Sequence, residues 1–159
     1  MEAVAQLKLT LVLFFAAVCL VLVPSTHAKD VKYCDKKGDY VVKVRGVEIS
    51  PSPVVSGKPA TFKISASADQ DIDGGKVIID VSYFGLHVHT EKIELSEETP
   101  CPIEAGNFVL SHTQTLPGYT PPGSYTLKMT MEDDDNQVLA CISFGFKISF
   151  GSLLSAVLE

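Results

Sequence analysis

The stretch ATFKISASADQDIDGGKVIID, residues 60–80, admits two readings with opposite consequences for the fold. Read from Asp69, it places Asp69, Asp71 and Asp73 at positions one, three and five of a calcium loop, with Gly74 at six and Asp80 at twelve. That is nearly the EF-hand spacing, with Asp where a bidentate Glu should close the site. An EF-hand loop needs a helix on each side. The residues before this one alternate instead, with Ala60, Phe62, Ile64, Ala66 and Ala68 on one face and Thr61, Lys63, Ser65 and Ser67 on the other. Such alternation marks a half-buried strand. The second half, KVIID, also reads as strand. The stretch is therefore strand, polar turn, strand, with Asp and Gly supplying the bends rather than holding a metal.

The same period recurs further along. YTLKMTM (125–131) turns Tyr125, Leu127, Met129 and Met131 to one side. VLACISFGFKISF (138–150) does so with Val138, Ala140, Ile142, Phe144, Phe146, Ile148 and Phe150. A further strand covers roughly 107–116. Two runs change face midway: VVKVRGVEI at Arg45-Gly46, where a β-bulge absorbs the extra residue, and VIIDVSYFGLHVHTEKIEL around Gly85. Turn signals separate the runs at SPSP (50–53), SGKP (56–59), DIDGG (71–75), PGYTPPG (117–123) and EDDDNQ (132–137). No stretch beyond residue 28 sustains helical periodicity over three turns. Six to eight short strands predict an all-β fold, an immunoglobulin-like β-sandwich of two antiparallel sheets, with a small barrel as the alternative.

The first residues point to an address. Leu9 to Val23, LTLVLFFAAVCLVLV, is apolar and uncharged, too short to span a bilayer comfortably, and small residues follow it. Residues 1–28 are expected to be a signal peptide cut after Ala28, a membrane anchor being the alternative. One domain, 29–150, and a tail, 151–159, would follow, delivered through the secretory pathway to the extracellular space (apoplast) or vacuole. A net charge of -6 without a basic run argues against binding nucleic acid through its phosphates. Beyond the expected signal peptide, Cys34, Cys101 and Cys141 form an odd set, so at most one intramolecular bridge can close.

Little in the chain suggests chemistry. His87 and His89 lie two apart in HVHTE, and with His112 or Glu91 they would suit zinc, but packed or solvated histidines are the simpler reading. The acidic EDDDN cluster (132–136) reads as a solvated hairpin tip. No G-x-S-x-G, P-loop, G-x-G-x-x-G or H-E-x-x-H occurs, so neither an enzyme nor a cofactor is expected. Large apolar side chains are plentiful for a sandwich of this size. They fit either a dry core or an internal cavity.

From Cys101 onward, CPIEAGNFVLSHTQTLPGYTPPGSYTLKMTMEDDDNQVLACISFGFKI resembles the second half of ML (lipid-recognition) domains. That family includes the Niemann–Pick type C soluble sterol carrier and fungal phosphatidylglycerol/phosphatidylinositol transfer proteins. The Cys-Pro at 101–102, the PPGSYTLKM strand and the DDDNQVLAC hairpin carry the likeness. Upstream, YCDKKGDYVVKVRGVEISPSPVVSGKPATFKI and VSYFGLHVHTE look like the plant branch. The resemblance implies a sandwich whose sheets part at one edge to admit a lipid, and a disulfide between Cys34 and Cys141. LSEETPC carries Ser96 where relatives usually have a second cysteine, which leaves Cys101 without its expected partner.

Strand parity and family placement together name the residues expected to meet lipid: Phe62, Ile64, Val81, Tyr83, Leu86, Val88, Pro102, Ile103, Phe108, Leu110, Leu116, Tyr119, Leu127, Met129, Ile142, Phe144 and Phe146. The implied activity is transport by burial. Covering about 400 Å² of lipid at about 25 cal/mol per Å² contributes on the order of 10 kcal/mol. The implied partners are a sterol or phospholipid, a transient membrane contact and a membrane-protein acceptor, with the carrier a monomer. Glu91, Glu94, Glu97, Glu98 and Glu104 are expected near the mouth, where protonation in an acidic compartment would ease membrane approach. The competing function is an immunoglobulin-like recognition module with a solid core. Against it, the chain has no tryptophan for the core position of antibody-type domains.

Overall fold

Side chains on an extended segment point alternately to its two faces, so each alternating run must bury one face against something. The computed structural model describes Gln6, Lys8 and residues 27–151, and there the runs become strands. Most of the expected signal segment and the tail from Ser152 lie outside the described residues. In chain order the elements are β1 (His27–Lys29), β2 (Lys32–Tyr33), β3 (Val42–Ser50), β4 (Val54–Val55), β5 (Pro59–Ala68), β6 (Lys76–Tyr83) and β7 (Leu86–Glu94). A helical turn, α1 (Leu95–Glu98), precedes β8 (Gly106–Thr115), β9 (Gly123–Glu132) and β10 (Val138–Ser149).

Two sheets result, one ordered β1-β3-β5-β8 and the other β2-β10-β9-β6-β7, with β4 parallel to β10. All other pairings are antiparallel. The faces match the alternation. Ala60, Phe62, Ile64, Ala66 and Ala68 are buried from β5, and Tyr125, Leu127, Met129 and Met131 from β9. The expected bulge in β3 is present: the register with β5 shifts between Val44 and Gly46, which lets Val42 and Val47, of opposite parity, both be buried.

Three expectations need correction. The phase change near Gly85 is not a bent strand but a hairpin: Phe84 and Gly85 both have positive φ (49° and 80°), as a two-residue primed turn requires, and join β6 to β7. In β10 the register shifts between Val138 and Ala140, so Val138 turns outward and is 48% exposed while Leu139 is buried. Phe150 falls beyond the end of β10 and is exposed.

The acidic stretch that resembled a calcium loop runs between β5 and β6, both strands. Its aspartates serve separate partners: Asp69 pairs with Lys43, and Asp71 Oδ1 accepts the Ala105 N–H at 2.7 Å. Gly75 has φ 147°, and a Cβ there would meet the Glu132 carbonyl oxygen at 2.0 Å. The bend therefore needs glycine.

Cys34 and Cys141 are bonded, with Cα atoms 5.4 Å apart and a sequence separation of 107. The bridge fixes the segment after β2 to the first part of β10, where the Cys34 N–H also donates to the Cys141 carbonyl at 3.0 Å. On the chain-entropy view, a loop of this length contributes up to about 4–5 kcal/mol. The Cys34→Ala/Cys141→Ala double variant should therefore lose several kcal/mol in guanidinium unfolding. A midpoint equal to that of wild type would show the bridge to be energetically idle.

Candidate functional site

At one end the sheets part. The gap is a cavity of about 540 Å³. Phe62 of β5, Gln114 of β8 and Leu116 just beyond it form one wall; Val81, Tyr83, Leu127, Phe146 and Ile148 of the other sheet form the opposite wall. Tyr119 (87% exposed) and Val88 (54%) mark the mouth.

The lining of the second wall follows from sheet register. Tyr83 lies directly across from Tyr125, and Tyr125 from Phe146, so three rings on adjacent strands share one face. Tyr83 and Tyr125 stack at 4.6 Å between centroids, Tyr125 and Phe146 at 5.6 Å, and Phe146 meets Phe62 edge-on at 5.6 Å. Phe84 extends the row outward, 4.5 Å from Tyr83. Both phenols are tied off: Tyr83 donates to the Pro122 carbonyl at 3.1 Å and Tyr125 to the Pro121 carbonyl at 2.8 Å. Burial pushes the Tyr125 pKa up, with the Tyr83 charge adding to it. The result is a continuous aromatic surface from hairpin tip to cavity interior, its polar atoms turned toward the 117–122 loop. Gly123 has φ 143°, and a Cβ there would come within 3.0 Å of the Tyr83 ring.

Polar groups concentrate along one seam. β7 and β8 are the outer strands of different sheets, and His89, Glu91, His112 and Gln114 face the cavity from them. His112 Nδ1 lies 3.1 Å from Glu98 Oε1 on α1, and His112 Nε2 lies 3.9 Å from Glu91 Oε2. The hydrogen bond to Glu98 raises the His112 pKa above its ordinary value, burial opposes it, and the charges of Glu98 and Glu91 add to the rise.

Behind His112 lies a second, small void of about 20 Å³, room for about one water. Ile64, Leu110, Met129 and Phe144 line it from both sheets.

The residues named from sequence divide accordingly. Phe62, Val81, Tyr83, Val88, Leu116, Tyr119, Leu127 and Phe146 line the cavity. Ile64, Leu110, Met129 and Phe144 surround the small void, and Leu86 stands exposed on the rim. Ile142 is wholly buried and borders neither space. Pro102, Ile103 and Phe108 line a separate open depression near the start of β8. Residue 108 and the mouth residue Leu116 are eight positions apart along or just past one strand, about 26 Å at strand rise. The loop preceding β8 is therefore not at the mouth. Of the five glutamates expected there, Glu91 alone lines the cavity, and Glu104 belongs to that distant depression.

From sequence, His89 and His112 enter only as possible zinc ligands, Glu91 as that and as a mouth glutamate, and Gln114 not at all, because the lipid-facing set is drawn from apolar residues. His112 and Gln114 share the parity of Leu110 and Leu116, a signal that was available. His87 turns instead to Thr90, with Nε2 2.7 Å from Oγ1. Among the described residues no three His, Cys, Asp or Glu side chains are grouped to hold a metal.

The ML-domain family model matches residues 28–148, and the chain belongs to that family. A putative phosphatidylglycerol/phosphatidylinositol transfer protein of Dictyostelium discoideum is 30% identical over 139 residues, covering 86% of this chain and 96% of its own. The phosphatidylglycerol/phosphatidylinositol transfer protein of Mycosarcoma maydis is 29% identical over 121 residues, covering 71% of this chain and 63% of that protein. Among solved structures, a Niemann-Pick type C2 protein from Japanese carpenter ant aligns with a TM-score of 0.61 at 14% identity, over 76% of this chain and 99% of that one. Chicken MD-1 complexed with lipid IVa aligns at 0.52 and 19% identity, over 77% and 96%. At these identities the structural likeness establishes the fold, an immunoglobulin-like sandwich.

The His112 pKa is raised in the folded chain, so its stabilisation is complete below the unfolded imidazole value of about 6.5 and is lost as pH rises through the folded pKa. The stability gap between wild type and His112→Gln in urea unfolding should therefore be wider at about pH 5.5 than at about pH 8.5. A gap independent of pH would contradict the assignment.

Proposed function

We propose that this chain binds a single lipid between its two sheets and transfers it between membranes, making and breaking no bonds. One observation carries the reading: a cavity of about 540 Å³, walled by aromatic and aliphatic side chains, lies where the sheets of a sandwich normally interdigitate. Its volume is within the usual range for small-molecule sites. The relatives, phosphatidylglycerol/phosphatidylinositol transfer proteins, support the same class of cargo, and MD-1 of the same fold is complexed with lipid IVa. The cargo is a sterol or phospholipid. The carrier works as a monomer in the secretory pathway, delivering to the extracellular space or a vacuole, in contact with a membrane or a membrane-protein acceptor.

The mouth suits direct contact with a bilayer. Phe84 (76% exposed) and Leu86 (73%) project beside Tyr119 and Val88. Residues 81–90 and 105–127, which include this rim, contain no Asp, Glu, Lys or Arg. Fixed charge therefore neither attracts nor repels the rim from a lipid surface, and apolar burial drives the approach.

Two measurements test the proposal. Lipid extracted from the purified protein should be stoichiometric in wild type and greatly reduced in Val81→Trp, which fills the cavity from a half-buried position. A wild type free of lipid that also fails to take up lipid from vesicles would refute the carrier role. The Phe84→Ser/Leu86→Ser variant should keep its bound lipid but transfer it between zwitterionic vesicles about 10- to 100-fold more slowly, since the two partly inserted anchors together forfeit roughly 1.5–3 kcal/mol. Transfer at the wild-type rate would exclude the hairpin tip as the docking element.

A further inference from the structure

Strands β7 and β8 close no hydrogen-bonded ladder with each other, since each ends its own sheet. Side chains must span the seam between them. His112 does so from β8, placed opposite Phe62 in the sheet register, with Glu98 at 3.1 Å on α1 and Glu91 at 3.9 Å on β7. These are sheltered groups: the side chains of Glu98, His112 and Glu91 are 9%, 16% and 33% exposed.

The position matters as much as the contacts. Phe62, Ile79, Leu127 and His112 border both the large cavity and the small void behind it. Glu91 borders only the cavity among these two spaces, and Glu98 only the void. His112 thus stands at the constriction between them, with one carboxylate on either side.

We propose that His112 is a latch on cavity depth: by tying the free edges of the two sheets together at the constriction it ends the cavity there, and when released it lets the cavity run through into the void. This deepens the carrier reading, on which it rests, by assigning what sets the length of tail the site accepts. Beyond the constriction Ile64, Val77, Leu110, Met129 and Phe144 are apolar and Glu98 is the one carboxylate, at the His112 side, so an opened cavity would receive hydrocarbon over most of its wall.

The latch is sensitive to pH. The ionisable groups around the imidazole are Glu98 and Glu97 from α1, and Glu91, Lys92 and His89 from β7; β5, β6 and β9 present apolar Phe62, Ile79 and Leu127. A protonated His112 lies between two carboxylates and holds them across the seam. Loss of that proton as pH rises leaves Glu91 and Glu98 flanking a neutral ring, which removes the attraction that closes the edge. Lys92 and Glu97, in the outer depression, largely offset each other in charge.

The test compares two fluorescent phosphatidylcholines, one with a short acyl tail and one with a long tail, binding to wild type, His112→Gln and Glu98→Gln. Wild type at about pH 5.5 should prefer the short tail by about tenfold, the scale of one hydrogen bond to a charged group, and lose most of that preference at about pH 8.5. Both variants should show the weak preference at both pH values. Glu98→Gln retains the imidazole and an uncharged hydrogen-bonding partner, so it reports on the latch if His112→Gln folds poorly. A short-to-long ratio unchanged by pH in wild type, or unchanged in the variants, would overturn the latch and leave the carrier reading intact. Failure of wild type to bind either lipid at either pH would overturn both.

Discussion

The tethering of Tyr83 and Tyr125 is the constraint on which the site depends. A β-sandwich closes because side chains from facing sheets interlock over about 10 Å. Here two of the largest side chains at the open end are bonded through their hydroxyls to carbonyls of the 117–122 loop. They stack on each other and on Phe146 along their own sheet. The two tyrosine rings so held stack along their own sheet, and across the gap Phe146 alone of the three rings meets the opposite wall, at Phe62, with His112, Gln114 and Leu116 lining the rest of that side. The opening is therefore a consequence of cross-strand register plus two hydrogen bonds.

At the other end the sheets meet fully. Val42, Val47, Ile142 and Met131 are wholly buried there or nearby, and the Cys34–Cys141 bridge pins the chain onto β10. A cavity in a protein of this size is tolerable when covalent and close-packed regions compensate for the contacts it forfeits. Polar residues are segregated along the β7–β8 seam, so a bound lipid would meet hydrocarbon walls on most sides and a band of imidazole, carboxylate and amide on one.

How far the sequence foretold this depends on which forces are local. Alternation along β5, β9 and most of β10 is a property of each strand alone, and it located the buried faces. The β3 bulge was legible because two apolar pairs of opposite parity flank Gly46. The Phe84-Gly85 hairpin was not, since an aromatic residue with positive φ is an uncommon choice for such a turn. Nor could parity tell a cavity wall from solid core. Ile142 and Phe146 share a face of β10, yet the first is sealed and the second lines the opening, because what lies opposite each is decided by the other sheet. His112 was invisible as a seam residue for the same reason: its partners sit 14 and 21 positions earlier, joined to it only by the fold.

The stretch that first resembled a calcium loop has a structural task that explains its acids. ML domains usually close the segment before the Cys-Pro with a second cysteine, and Ser96 takes that place here, so Cys101 is free and half-buried. The Cys101 thiol donates to the Thr99 carbonyl at 3.7 Å, and burial raises its pKa, which keeps it from the reactive thiolate form. Without the small disulfide, this segment must be held by other bonds. Ile72 and Ile103 exchange both backbone hydrogen bonds at 2.8 Å, and the Asp71 carboxylate takes the Ala105 N–H. Both anchors come from DQDIDGG. Its aspartates thus act as hydrogen-bond acceptors for loops: Asp71 substitutes in part for a missing covalent tie, and Asp69 holds the start of the turn to Lys43 of β3. A calcium ion at the same residues would have to break both arrangements to gather its ligands.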